Sequence, residues 1–171
     1  MSFSMSQTLF PTLEIGLSVL SGLLDKAEAF AAAKKIDPSV LLNSRLAPDM
    51  FPFLRQVLVV CDQAKNGSSR LAGIEPPAFE DSETTIAELK ARIAKTVDYL
   101  KGFKPAEIDG TEDKEITLKF GSNERKFTGL GLLLGHILPN FYFHCTTAYD
   151  ILRHCGVELG KRDFMGTPVS L

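Results

Sequence analysis

Leu13, Leu17, Leu20, Leu24, Ala27 and Ala31 recur every three or four residues near the start of the chain. At about 3.6 residues per turn that spacing is a continuous apolar stripe along one long helix, read here from about Ser6 to Lys35. A helix cannot cover such a stripe with its own side chains, so the rest of the chain, or a second copy of it, must supply the partners. Pro11 lacks an N–H and crowds the preceding turn, so it kinks this helix or marks its true start.

One short helical turn and three further helices follow. Asp37-Pro38 reads as an N-cap followed by proline in the first turn, opening a short helical turn. A second long helix runs from about Phe51 to Ala72, with Phe53, Val57, Val60, Cys61 and Ala64 facing inward and Gly73 stopping it before Pro76-Pro77. GIEPPAFEDSETT reads as a surface crossing. Thr85 and Glu88 then form a capping box for a third helix carrying Ile86, Leu89, Ile93, Val97 and Leu100. EITLKF, a GSN turn and ERKFTG alternate with period two and predict a two-stranded hairpin that must lean on the helices. The fourth long helix spans about Gly129 to Cys155, bent at Pro139 and ended by Gly156. The tail from Val157 reads as an irregular strap. The fold expected is all-α: one domain over residues 1–171, an up-down four-helix bundle with a small β-hairpin between its third and fourth helices.

Composition excludes several functions. With a net charge of −2 and a pI near 5.9, the chain lacks the basic footprint of a nucleic-acid binder. No uninterrupted apolar run reaches the roughly 18 residues of a membrane span, and the N-terminus lacks a basic segment and cleavage site. A cytoplasmic protein is expected. Cys61, Cys145 and Cys155 form no C-x-x-C pair, and Cys145 and Cys155 stand about 15 Å apart on one helix, too far for a disulfide.

The chemistry concentrates in Leu138–Val157, LPNFYFHCTTAYDILRHCGV. Asn140, His144, Thr147, Ile151 and His154 share one stripe. His144 and His154 are about 15 Å apart along it and cannot share a metal ion, whose ligand bonds are near 2.1 Å. His144 reads either as a histidine satisfied by Asp49 or Gln56 across the bundle, or as a ligand or base. His154 suits the negative end of the helix dipole. His136 falls off the stripe. Phe141, Tyr142, Phe143 and Tyr149 surround the stripe, as core or as the wall of a pocket whose polar groups are Asn140, His144, Thr147 and Tyr149. Arg55 and Asp62 form a surface pair or frame the pocket mouth. GLGLLLG at Gly129–Gly135 lacks a Rossmann frame, and close packing explains its glycines better.

LAPDMFPFLRQV, RLAGIEPPAFEDSETTIAELKARIAKT and LPNFYFHCTTAYDILRHCGVELGKRDFMG together resemble a bacterial and fungal domain-of-unknown-function family, DUF1993, in the DinB/YfiT-like metalloenzyme superfamily. The resemblance covers Leu24 to Gly166. It implies a four-helix bundle, frequent dimers, relatives that are thiol-dependent transferases and isomerases, and a metal held by one histidine of helix two and an H-x-x-x-H pair of helix four. Here the pair positions carry Asn140 and His144, and helix two has no histidine between Met50 and Ala72. Two readings follow. One is a protein, homodimeric, that binds a small molecule in an aromatic pocket around His144 without a complete three-histidine site. The other is a variant enzyme of transferase or hydrolase type, using zinc or nickel on His144 with Asp49 or Asp62 as helpers.

Overall fold

The computed structural model describes residues 4–166. It is mostly helical, with one two-stranded antiparallel sheet. The order is α1 (Met5–Lys34), α2 (Pro38–Leu42), α3 (Phe53–Ala72), α4 (Ile86–Leu100), α5 (Pro105–Ile108), β1 (Glu115–Phe120), β2 (Asn123–Thr128), α6 (Gly129–Leu132), a π-helical turn (Leu133–Ile137), α7 (Leu138–His154) and α8 (Lys161–Met165). Helices α4 and α7 each pack against both α1 and α3, and the closest pairing of helices is α3 with α7.

The stripe Leu13, Leu17, Leu20, Leu24, Ala27 and Ala31 is fully buried, and Phe53, Val57, Val60, Cys61 and Ala64 meet it from α3. By length and composition alone α1 could cross a membrane, since its most apolar 18-residue window has a mean hydropathy of 1.2. Its apolar face is instead the core of the molecule. The helix starts at Met5, capped by Ser4 with Gln7 completing a capping box, so Pro11 lies inside it and does not mark its start. Asp109, just after α5, holds that start in place by accepting from the Ser6 N–H at 2.8 Å and its hydroxyl at 2.9 Å.

The expected caps form. The Asp37 carboxylate accepts from the Ser39 N–H at 2.8 Å, and Thr85 and Glu88 make their reciprocal box. Gly73 ends α3 in the left-handed region at φ 78°. Pro52 is the N-cap of α3, so the helix begins at Phe53, two residues later than the expected start at Phe51. In the hairpin, Glu115 pairs with Thr128 and Phe120 with Asn123, while Ile116 and Leu118 point into the core.

Two expectations need correction. The fourth long helix runs from Gly129 to His154 but is not α-helical throughout: α6 and α7 are joined by the π-helical turn, in which the Leu138 N–H reaches back to Leu133 O. A proline ring collides with the carbonyl four residues before it, and a wider turn just ahead of Pro139 moves that carbonyl aside. The tail is not an irregular strap throughout, because Lys161–Met165 forms α8. The remainder of the tail, 167–171, lies outside the described residues. Close packing explains Gly129, where a Cβ would come within 2.0 Å of Thr111 O, but not Gly135, where it would meet nothing.

Candidate functional site

Helix α7 presents two faces, and the candidate residues divide between them. On the α3 side, His144 Nδ1 lies 2.6 Å from Gln56 Oε1. The other end of the same amide donates from Nε2 to Phe51 O at 2.9 Å. That second bond fixes which way the amide points, so its oxygen must face the ring and Nδ1 must carry the proton. Nε2 of the neutral ring is then a lone-pair acceptor, and it has no hydrogen-bond partner within the protein among the described residues. Burial pushes the His144 imidazole below its usual range, which favours this neutral form near pH 7. The adjacent Phe143 ring stands edge-on to it at 5.1 Å and is itself 56% exposed.

The other candidate residues make their hydrogen bonds and ring contacts with groups other than His144. Asn140 turns back onto its own helix, donating to His136 O at 2.7 Å, with His136 Nδ1 3.3 Å from the same nitrogen. His136, expected off the stripe, instead adjoins Asn140 one turn away and sits against Phe127 at 5.9 Å. Burial and the charges of Arg70 and Arg125 hold its pKa down. The Thr147 hydroxyl donates to Phe143 O at 2.8 Å. Tyr149 packs edge-on against Phe164 of α8 at 5.8 Å.

The metal helpers are occupied elsewhere or solvated. Asp62 accepts from Arg92 at 3.0 Å and lies 3.4 Å from Lys65 Nζ. Arg55, read as its possible partner, pairs instead with Asp81. Asp49 is exposed. Among the described residues no group of three or more His, Cys, Asp or Glu side chains could hold a metal ion.

On a neighbouring side α7 meets α1 and α8 around a cavity of about 200 Å³. Phe141, Tyr142 and Cys145 line it from α7, and Asn140, His144, Thr147 and Tyr149 do not. Sequence reasoning did not find this cavity. The available signal was Gly16, an isolated glycine inside an apolar helical pattern, which commonly marks close packing. A Cβ there would come within 2.4 Å of the Phe141 ring.

The model of a domain of unknown function, DUF1993, matches residues 5–165. The chain belongs to the DUF1993 family. The crystal structure of a DinB family member protein from Shewanella denitrificans is similar to it at 45% identity, with a TM-score of 0.83 over 94% of this chain and 90% of that one. No curated protein matches. In this DUF1993 chain, then, the DinB-like resemblance read from the motifs holds, and Gln56 faces the one histidine that remains at an expected ligand position.

Proposed function

We propose that this DUF1993 protein binds a small molecule through the His144 imidazole, on an up-down four-helix bundle of α1, α3, α4 and α7, without a three-histidine metal centre. The observation that carries the reading is the relay Phe51 O, Gln56, His144. It spends Nδ1 on the protein and leaves Nε2 to accept one hydrogen bond beside the exposed Phe143 ring. The ligand class that fits is a neutral molecule with one O–H or N–H donor and an apolar body. Support also comes from the donor set: Asn140 is bonded to its own helix, and Asp62 is paired with Arg92.

A second reading draws on the same geometry. An imidazole whose Nδ1–H is held by an oxygen is how proteins orient metal-binding histidines, so His144 could serve a divalent ion in a transferase or hydrolase. Among the described residues no group of three or more His, Cys, Asp or Glu side chains supplies the rest of a coordination sphere.

Phenol and zinc separate the two. In untagged protein with ¹⁵N-labelled histidine, phenol should shift the Nε2 resonance of His144, and toluene, which has the same ring without the O–H donor, should not. Near-stoichiometric zinc or nickel in the purified protein, with a lowered Tm after chelation, would overturn the first reading in favour of the second. The same reading includes a homodimer through α1 and the α6–α7 segment, which light scattering tests directly.

A further inference from the structure

The cavity between α1, α7 and α8 is independent of the His144 face and has a different chemistry. Ile15 and Val19 of α1, Phe141 and Cys145 of α7, and Phe164 and Met165 of α8 bound it, and among the described residues no charged side chain lines it. Gly16 lets the Phe141 ring lie against the α1 backbone, which sets the cavity floor. Thr12 also reaches it but donates its hydroxyl proton to Thr8 O at 2.7 Å. Cys145 is 2% exposed, and burial holds its thiol protonated, so the sulfur presents a neutral, polarizable surface and not a nucleophile.

The volume, about 200 Å³, is of the order that holds a single aromatic ring, since apolar cavities of about 150 Å³ bind benzene. One wall is the short helix α8. Gly160 and Gly166 bracket α8, and Gly166 has φ 64°. The helix is held by the Lys26–Asp163 ion pair at 2.8 Å, with Lys26 45% exposed, and by the Tyr149–Phe164 ring contact. Met165 is 54% exposed and stands at the boundary between cavity and solvent.

We propose that this cavity is a binding site for an uncharged, apolar molecule of about one substituted aromatic ring, admitted past α8. A charged ring should be rejected, because no counter-charge lines the walls and desolvating the ion would go uncompensated.

Toluene and toluenesulfonate, which share a ring and differ in charge, test this in the full-length protein. Saturating toluene should perturb the ¹³C-methyl resonances of Ile15, Val19 and Met165 and raise Tm as binding to the folded state requires, while toluenesulfonate should do neither. His144→Phe should leave the toluene response unchanged, which separates this site from the one proposed above. Val19→Phe should fill the cavity and reduce the response at least tenfold. The mapping on the unaltered protein is decisive should that variant fail to fold. Absence of any toluene effect, perturbation spread evenly through the core, or equal binding of toluenesulfonate would overturn the proposal.

Discussion

At the scale of single residues, the neutral state of His144 has a consequence for pH. The folded protein holds its imidazole below the usual range because burial penalises the cation. A depressed histidine pKa means the unfolded chain binds the proton more readily, so the contribution to stability is present above the unfolded value near 6.5 and is lost as pH falls through the folded pKa. NMR titration should therefore place the His144 midpoint below the ordinary histidine value near 6.5, and His144→Phe should flatten the loss of stability as pH falls below about 6.5. Residue identity alone narrowed the partner of His144 to Asp49 or Gln56, and the structure selects Gln56. The choice was not legible because it depends on the rotation of α3, fixed by where Pro52 starts that helix. Gly16 is the converse case: its meaning is a contact with Phe141, more than a hundred residues away.

At the scale of elements, caps and periodicity were legible because they are local. The Thr85–Glu88 box satisfies helix N–H groups within four residues of chain: Glu88 accepts from the Thr84 and Thr85 N–H groups at 2.8 and 2.9 Å, and its own N–H donates to Thr85 Oγ1 at 3.2 Å. Thr85→Ala should lower stability by about 1 kcal/mol, read in urea as a lower Cm with unchanged m. The π-helical turn was not legible in the same way. Pro139 announces that a hydrogen bond is missing, but a bend, a break and a wider turn all answer that need. The packing of Leu133 and Ile137 into the core decides among them. Helix α8 was missed for a related reason: five residues carry too little periodicity to register, and Phe164 finds its partner, Tyr149, on another helix.

At the scale of the whole molecule, the crossing between α3 and α4 is anchored inward. Arg92 of α4, with its side chain 2% exposed, donates to Asp62 at 3.0 Å, Asp81 at 3.1 Å and Glu83 at 3.0 Å, and to Glu80 O at 2.9 Å. Phe79 lies beneath three cations: Lys95 Nζ at 3.9 Å, Lys65 Nζ at 4.4 Å and the Arg92 guanidinium at 4.9 Å. Arg92→Met should destabilise the protein by about 2–4 kcal/mol, less than a fully buried orphaned charge would cost because Asp62 and Asp81 keep contact with water. Burial pushes the Asp81 carboxyl up, but the hydrogen bonds and charges of Arg55 and Arg92 outweigh it and hold the group below its ordinary range. Its contribution is thus present above about pH 4 and lost in stronger acid, so the acid limb of urea-measured stability should be shallower in Arg92→Met than in the parent. The arrangement also makes the crossing depend on two helices at once. The groups that pin it come from α3 and from α4, so neither helix can set it alone. The anchors of residues 74–84 are complete only where both helices are in place. A segment that looks like a passive connection is therefore the clasp that records whether the assembly of the bundle is complete.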